Sequence, residues 1–242
     1  MLNSGPMREL KDSIAVVTGA SRGIGLAIAE HLAREGAEVV LVARDAEALR
    51  RTQKKIAGKT VPVAANVTSP RDVGRLFRRV KKLYGRLDIL VNCAGVFTYK
   101  PFRETTLEDW RNNIETNLTA PFLMTQAALP LLASAERPQV VNILSVSSSQ
   151  AFPNCSAYTA SKFGALGLTR VLRKELQPQG VRVTAVLPGL TDTQMLGEFG
   201  FEISRAQVMQ PEDVADAVIG ALRQPPRTAV EEIHLMPSSG AV

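Results

Sequence analysis

The sequence predicts a doubly wound α/β fold, in which helices cover both faces of a parallel sheet. Short apolar runs typical of buried strands alternate with segments of helical length, and no hairpin signal joins one strand to the next. The composition agrees, because apolar residues make up 45% of the 242 residues and aromatic residues only 5%. We expect one domain over residues 7–242, preceded by a loose tail at residues 1–6.

The order of the elements follows from this alternation. Strands are predicted at residues 14–18, 38–42, 60–65, 88–91, 139–144 and 230–235. Ser69 and Pro70 mark the start of a basic helix, and further helices are expected to begin near Thr106 and to span residues 156–176 and 211–223. The helix from Thr106 contains Pro121, which should bend it. Right-handed crossovers between parallel strands then place the carboxyl ends of all strands at one edge.

The charge pattern does not favour a nucleic-acid partner. The net charge is +6, and the densest basic stretch is residues 71–86. Its apolar residues nevertheless recur at helical spacing, so its arginines and lysines are interpreted as one solvated helix face. No apolar run approaches the roughly 18 residues that a membrane span requires, so no membrane partner is expected either.

The two cysteines, Cys93 and Cys155, are too few for a disulfide framework and do not have metal-ligand spacing. We interpret both as small apolar packing residues in a reduced, cytoplasmic protein, and we predict no metal site. The two histidines, His31 and His234, are likewise interpreted as structural.

A glycine-rich turn, TGASRGIG, follows the first strand. Gly19, Gly23 and Gly25 have the spacing G-x-x-x-G-x-G and lead into a helix. Glycines at such a turn let the backbone approach a pyrophosphate, and the helix N-terminus supplies free N–H groups. The pattern favours a dinucleotide site, with a plain tight turn as the alternative.

The residues after the second strand indicate which dinucleotide is bound. A ribose 2′-hydroxyl is usually held by an acid at this position, whereas a 2′-phosphate needs cations. Here the strand runs into Arg44, and the glycine turn contains Ser21 and Arg22. Two guanidinium groups can bracket a phosphate, so the pattern favours NADPH over NADH. Asp45 is the argument against this preference.

Polar residues also follow the third and fourth strands. Asn66 is a candidate for binding adenine, and the segment from Asn92 to Gly95 is a candidate lining of the cofactor channel. Asparagines that simply form turns remain an equal alternative.

Tyr158 and Lys162 lie four residues apart in a predicted helix, so their side chains should share one face. An ammonium roughly 4 Å from a phenol favours the phenolate by about 4 kcal/mol at an effective dielectric of 20, which lowers a pKa by about three. Burial opposes part of this effect. A chance pair of Tyr and Lys is the alternative. Ser145 ends the strand that precedes this helix, and Asn117 lies where the preceding helix can be distorted.

Taken together, these motifs resemble the short-chain dehydrogenase/reductase family. The resemblance rests on TGASRGIG, NCAG, Asn117 in NLTAPF, Ser145 thirteen residues before Tyr158, YTASK, and Pro188-Gly189, in this order over essentially the whole chain. It implies a single Rossmann-like domain with a parallel sheet of about seven strands, an NAD(P) cofactor and an Asn-Ser-Tyr-Lys tetrad. Two positions depart from the family pattern, since Asn66 replaces an aspartate and Cys93 replaces an asparagine.

The resemblance also implies roles. Tyr158 would be the general acid that protonates a carbonyl, Lys162 would lower its pKa and bind the nicotinamide ribose, Ser145 would hold the substrate oxygen, and Asn117 would keep a water relay to Lys162 in place. A short apolar lid over the substrate is expected at residues 194–208. The expected cofactor-binding residues are Gly19, Ser21, Arg22, Gly23, Ile24, Gly25, Arg44, Asn66, Val67, Asn92, Ala94, Gly95, Tyr158, Lys162, Pro188, Gly189, Thr191 and Thr193.

The functional hypothesis is an NADPH-dependent carbonyl reductase or alcohol dehydrogenase that acts on a ketone, aldehyde or 3-oxoacyl substrate. A fatty-acid-type 3-oxoacyl thioester reductase is the alternative within the enzymes, and a catalytically silent cofactor-binding regulator is the alternative from another class. The helix at residues 156–176 is small or apolar nearly all round, which favours a homo-oligomer, a dimer or a tetramer.

Overall fold

A computed structural model describes residues 8–199 and 207–240. The predicted tail, residues 1–6, lies outside the described residues. Over the described residues the chain forms a sheet of seven parallel strands in the order β3-β2-β1-β4-β5-β6-β7. The strands are β1 Ile14–Thr18, β2 Glu38–Ala43, β3 Thr60–Ala64, β4 Ile89–Asn92, β5 Gln139–Ile143, β6 Arg182–Pro188 and β7 Glu232–Leu235. The predicted fold class is confirmed. The apolar runs do not predict the strand β6; β1 matches its prediction, and the other five predicted strands differ from the observed ones by one or two residues at their ends.

Helices follow the strands along the chain. They are α1 Gly23–Arg34, α2 Ala46–Lys55, α3 Pro70–Tyr84, α4 Leu107–Ile114, α5 Ala120–Leu132, α6 Ser156–Leu176 and α7 Pro211–Leu222. The basic stretch forms α3, which Ser69 caps and which buries Val73, Leu76, Phe77 and Val80, as the periodicity predicts. Leu83, at its end, is exposed instead.

A π-helical turn, Glu115–Thr119, joins α4 to α5, and Pro121 follows it in the first turn of α5. Proline has no N–H to continue the helical hydrogen bonds, so the turn lies directly beside the expected distortion, and the bend itself stays a prediction. The wide turn contains Asn117, so the distortion occurs at the residue that the sequence marks as a candidate.

Two hydrophobic layers cover the two faces of the sheet. Alternate residues of β1 divide between them, with Ala15 and Val17 in one layer and Ile14 and Val16 in the other. The first layer is completed by α1 and α7, and the second by α3 and α5. Because β1 pairs with both β2 and β4, the chain leaves the ends of these strands in different directions. Such a switch point opens a crevice at the carboxyl ends of the strands, where ligands of open α/β sheets bind.

A buried polar chain ties this edge of the sheet to α5 and α6. The Asn92 amide nitrogen donates to Asn142 Oδ1 at 2.8 Å and to Thr125 Oγ1 at 3.2 Å. The Asn142 amide nitrogen in turn donates to Thr169 Oγ1 at 2.9 Å, and Thr169 donates to the Ala165 carbonyl. The ends of β4 and β5 are thereby each fixed relative to a helix by a directional hydrogen bond, in addition to hydrophobic packing.

This chain of bonds predicts the effect of Thr169→Val. The substitution leaves the buried Asn142 amide nitrogen without its acceptor, so the free energy of unfolding should fall by about 1–3 kcal/mol in urea denaturation. Thr159→Val on the same helix is the matched control, because Thr159 Oγ1 is buried without a hydrogen-bond partner among the described residues. Equal losses in the two variants would contradict a structural role for the Asn142–Thr169 bond.

Candidate active site

A cleft of about 1480 Å³ runs along the carboxyl ends of the strands. The glycine turn, the ends of β2 and β3, the segment after β4, the segment after β5 and the loop after β6 all line it. Most of the residues predicted to bind the cofactor therefore meet in one place. Those that line the cleft are Gly19, Ser21, Arg22, Gly23, Ile24, Gly25, Arg44, Asn66, Val67, Ala94, Gly95, Tyr158, Lys162, Pro188, Gly189, Thr191 and Thr193.

The glycine turn has a shape that side chains would destroy. Gly19 and Gly23 have φ angles of +68° and +55°, in the left-handed region that favours glycine. A Cβ on Gly25 would lie 2.5 Å from the Gly19 carbonyl oxygen, so α1 begins in direct contact with the turn. No side chain among the described residues caps α1, so its first N–H groups remain available to a ligand. These features fit the pyrophosphate of a dinucleotide.

Thr18 holds the glycine turn against the segment after β4. Its Oγ1 accepts hydrogen bonds from the backbone N–H groups of Cys93 at 2.9 Å and Ala94 at 3.0 Å. The sequence reasoning missed this role. The available signal was a hydroxyl residue at the last position of an otherwise apolar buried strand.

Cations line the cleft after β2. Arg22 and Arg44 were predicted there, and the structure adds Arg51 and Lys55, which lie on α2. Their spacing of four residues on one helix could have revealed them. The guanidinium group of Arg22 donates to Gln194 Oε1 at 2.5 Å, which joins the glycine turn to the start of the predicted lid.

Asp45, the argument against a phosphate site, is the N-cap of α2. Its Oδ1 accepts hydrogen bonds from the N–H groups of Glu47 at 2.8 Å and Ala48 at 3.0 Å, and these bonds lower the pKa of the carboxyl group. This oxygen is therefore engaged with the helix N-terminus. The structure thus supplies another reason for an acid at this position.

The two asparagines at strand ends have different surroundings. Asn66 lines the cleft, but its Oδ1 accepts from the N–H and the hydroxyl of Thr68, as in the turn-forming alternative. Asn92 does not line the cleft. Its side chain is buried in the polar chain with Asn142 and Thr125, so the predicted role as a channel lining is wrong for this side chain.

Tyr158 and Ser145 meet in the cleft. A hydrogen bond joins their two hydroxyl groups, and both residues line the cleft although they are buried. The sequence contains four serines between residues 145 and 149, and the structure pairs the predicted one with Tyr158. Ser145 also accepts a hydrogen bond from the Ser147 N–H at 3.1 Å, which fixes its side chain.

Lys162 lies over the face of the Tyr158 ring. Its Nζ lies 5.6 Å from the centroid of the Tyr158 ring and donates to the Ile143 carbonyl at 3.2 Å. Burial raises the pKa of Tyr158 to about 12, against the hydrogen bond from Ser145, and lowers the pKa of Lys162 to about 8. The expectation that Lys162 brings the Tyr158 pKa near neutrality is therefore wrong for this structure, because desolvation dominates the shift and the charge of Lys162 is not among its causes.

Asn117 lies behind this pair. Its Oδ1 accepts from the Val96 N–H and its amide nitrogen donates to the Val96 carbonyl, both at 2.9 Å, and to Ser161 Oγ at 3.0 Å. A Cβ on Gly95 would lie 3.2 Å from Asn117 Oδ1 and 3.9 Å from Lys162 Nζ, so all three residues are neighbours. Asn117 does not itself line the cleft, and its predicted water relay stays a prediction.

The loop after β6 closes the cleft opposite α6. Thr191 Oγ1 donates to the Gly189 carbonyl at 3.0 Å, and a Cβ on Gly23 would lie 3.2 Å from Thr193 Cγ2, so the loop reaches the glycine turn. The predicted lid begins with a short 3₁₀ helix, Gln194–Phe199, whose Met195, Leu196 and Phe199 line the cleft. Residues 200–206 of the lid lie outside the described residues.

Comparison with known proteins decides the family. Residues 13–202 match the family model of the short chain dehydrogenases. The chain belongs to this family. As a short-chain dehydrogenase it is an NAD(P)-dependent oxidoreductase, and the cleft contains the Ser-Tyr-Lys arrangement described above.

Relatives of this short-chain dehydrogenase match almost its whole length. An uncharacterised oxidoreductase of Staphylococcus saprophyticus is 36% identical, over 96% of this chain and all of the relative. The glycine betaine reductase of Emericella nidulans is 38% identical over 96% of this chain, but the match spans only 19% of that longer protein.

Solved structures agree with the fold. A metagenomic short-chain oxidoreductase in complex with NADP superposes with a TM-score of 0.83 and is 34% identical, covering 96% of this chain and 99% of the other. The 3-ketoacyl-(acyl-carrier-protein) reductase of Brucella melitensis, complexed with NADH, has a TM-score of 0.88 at 26% identity, with the same coverage.

Neither a metal-ligand cluster nor a membrane-spanning helix is found among the described residues of the short-chain dehydrogenase. No three His, Cys, Asp or Glu side chains cluster there as metal ligands. None of its described helices combines the length and apolarity needed to cross a bilayer. His31 contacts the Ala27 carbonyl and Asp216, His234 lies exposed on β7, and neither lines the cleft.

The contact between Gly25 and Gly19 predicts the effect of Gly25→Ala. A methyl group 2.5 Å from a backbone oxygen must displace the turn, so the dissociation constant for NADPH, measured by fluorescence titration, should rise at least about tenfold. Gly220→Ala in α7 is the matched control, since a Cβ there meets nothing within 4 Å and alanine favours the helix. Unchanged NADPH affinity in the Gly25 variant would show that the turn does not hold the cofactor.

Proposed function

We propose that this short-chain dehydrogenase is an NADPH-preferring carbonyl reductase or, in reverse, an alcohol dehydrogenase, acting on a ketone, an aldehyde or a 3-oxoacyl compound. The observation that carries the proposal is the hydrogen-bonded pair of Tyr158 and Ser145, which faces a cleft that also contains the glycine turn. The glycine turn, Thr191 and Thr193 would hold the cofactor. The cofactor, when bound, supplies the hydride for the carbonyl carbon.

The residues around Tyr158 suit the delivery of a proton. Because burial keeps the pKa of Tyr158 high, its phenol is protonated at neutral pH and can donate to a substrate oxygen as negative charge develops there. The Ser145 hydroxyl can donate to the same oxygen. Lys162, still largely cationic at neutral pH, stabilises the phenolate that remains after the transfer. In the oxidation direction Tyr158 takes the proton back.

The chain's own cations support NADPH over NADH. Arg22, Arg44, Arg51 and Lys55 line the cleft around the end of β2, while Asp45 caps α2. A guanidinium group binds a phosphate with charge-assisted hydrogen bonds. The similar metagenomic oxidoreductase carries NADP, whereas the similar ketoacyl reductase carries NADH, so the preference rests on these residues.

Arg44→Asp should therefore move the preference towards NADH. Loss of one charge-assisted contact costs about 1.5–3 kcal/mol, so the ratio of kcat/KM for NADPH to that for NADH should fall at least about tenfold. Arg50→Asp is the matched control, because Arg50 is exposed on the neighbouring helix α2 and does not line the cleft. Equal changes of the cofactor preference in both variants would show that general electrostatics, and not a direct contact of Arg44 with the phosphate, sets this preference.

Tyr158→Phe tests the function itself. Wild-type protein is mixed with NADPH or NADH and a panel of aldehydes, ketones, quinones and 3-oxoacyl thioesters, and cofactor oxidation is followed by absorbance. The variant should lose about 10²- to 10⁴-fold in kcat, while its affinity for NADPH stays that of the wild type. Tyr84→Phe, on α3 outside the cleft, should keep full activity. Wild-type rates in the Tyr158 variant would refute its role as general acid.

The same panel separates the alternatives. Turnover confined to thioesters would favour a 3-oxoacyl thioester reductase, which the similarity to the Brucella melitensis reductase keeps in consideration. NADPH binding without turnover of any carbonyl compound would favour a cofactor-binding regulator.

We also infer a homo-oligomer, a dimer or a tetramer. Exposed apolar side chains lie on three successive helices, α4, α5 and α6, and they belong to Leu107, Trp110, Phe122, Phe163 and Val171. Burying them against a second copy removes apolar area from water. Light scattering coupled to gel filtration should give a multiple of 26.1 kDa. A monomeric mass at micromolar concentration would contradict this inference.

We also propose that the protein is located in the cytoplasm, and the state of its cysteines supports this. Cys93 and Cys155 are both free, and burial raises the pKa of each thiol, that of Cys93 to about 12. Two unpaired cysteines without a disulfide are typical of a reducing compartment. Recovery of the native protein from an oxidising compartment in cell fractionation would contradict this placement.

A further inference from the structure

Aromatic rings meet beside the proposed proton donor. The Phe97 ring lies 4.8 Å from the Tyr158 ring, centroid to centroid, with the planes at 86°. The Phe199 ring lies 4.8 Å from the Phe97 ring and 5.2 Å from the Tyr99 ring. We call Phe97, Tyr99 and Phe199 the aromatic wall. Two of its members come from the segment after β4 and the third from the lid.

The wall faces the cleft rather than the interior. All three side chains are half-buried and all three line the cleft, so part of each ring is accessible from inside it. Aromatic surface in a cleft can bind a ring of a ligand by offset or edge-to-face contact. The alternative is that the rings pack only against one another and hold the lid.

The cations at the end of β2 are separated from the proposed proton donor. Ser145 follows β5, three strand spacings and about 14 Å away. The rest of the described lining combines apolar side chains, among them Leu144, Val146 and Phe152, with charges of both signs from Glu108, Arg111 and Glu115. The aromatic wall, and not a single sign of charge, is therefore the candidate selective feature for the substrate.

The contact between Phe97 and the Tyr158 ring brings the aromatic wall next to the proposed proton donor. The carbonyl oxygen must reach the Tyr158 hydroxyl, so the group that touches Phe97 is attached close to the carbonyl carbon. Phe199, next to Phe97, extends the contact away from the reacting atoms.

Resting on the proposed function, we propose that the substrate is a carbonyl compound with a flat aromatic ring one or two bonds from the carbonyl carbon, and that the aromatic wall selects it. Phe97 and Phe199 are the specificity-determining residues. Tyr99 packs against both of these rings.

The test compares phenylacetone with cyclohexylacetone. A methylene group separates each ring from its carbonyl, so conjugation does not alter the carbonyl. The saturated ring is the more hydrophobic of the two, so burial of apolar area alone favours cyclohexylacetone. Tighter binding of phenylacetone would therefore show a contact that depends on the aromatic character of its ring. Dissociation constants are measured by titration calorimetry, with and without NADPH, for the wild type and for the turnover-deficient Tyr158→Phe protein.

The wild type should bind phenylacetone about threefold to tenfold more tightly than cyclohexylacetone. Phe97→Leu and Phe199→Leu should abolish this preference, while Phe102→Leu, at an 81% exposed position outside the cleft, should keep it. Equal affinities in the wild type, or a preference that survives in both wall variants, would overturn the proposal.

This readout differs from that of the proposed function. The preference is a binding ratio, whereas the proposed function requires NADPH oxidation by the wild type with a carbonyl compound. If the protein oxidises NADPH with aliphatic ketones but binds both compounds equally, the proposed function stands and the role of the aromatic wall in selecting the substrate is refuted. If the protein prefers phenylacetone but oxidises NADPH with no carbonyl compound, the role of the aromatic wall stands and the proposed function is refuted.

Discussion

The position of Tyr158 depends on the way α6 is held against the sheet. Three buried polar side chains on one face of the helix, Lys162, Thr169 and Arg173, bond to β5 or β6. Lys162 and Arg173 donate to the carbonyl groups of Ile143 and Val183, while Thr169 accepts from Asn142. Apolar contacts are non-directional and tolerate small slides, whereas these bonds fix the register of the helix along the strand. The tyrosine is therefore held relative to Ser145, which continues β5.

The same strand ends organise the cofactor side. Thr18 at the end of β1 binds the backbone of Cys93 and Ala94, and Gly25 starts α1 in contact with the turn. Parallel pairing brings all of these ends to one edge, so two separate halves of the chain contribute to one cleft without any long connection. This arrangement requires left-handed backbone at positions 19 and 23, which Gly19 and Gly23 adopt without the steric strain that other residues would have there.

Local patterns predicted the parts of the structure that local rules determine. The apolar runs gave six of the seven strands to within two residues but not β6, the glycine spacing gave the turn, and the composition of residues 156–176 gave α6 with both of its ends. The resemblance to a family then placed Ser145 opposite Tyr158. These features depend on residues close in sequence or on a shared ancestry.

The errors have a common physical origin in tertiary surroundings. The balance between desolvation and charge at Lys162 depends on how deeply the helix is buried, which spacing does not show. Asn92 was read as a channel residue, but its partners Asn142 and Thr125 are distant in sequence. The π-helical turn around Asn117 arises where its amide bonds the Val96 backbone, again a contact across the chain. The wall of Phe97 and Phe199 joins residues that only the fold brings together.

The contact between Arg22 and Gln194 has a consequence for evolution and engineering of this enzyme. A single guanidinium group touches the start of the predicted lid and also belongs to the cations that line the cleft around the end of β2. Exchanging Arg22 to change the nucleotide thus disturbs the predicted lid as well, so the two selectivities are coupled at this side chain. Arg44 has no such second attachment in the described structure, which leaves it as the position where coenzyme choice can drift independently of substrate range.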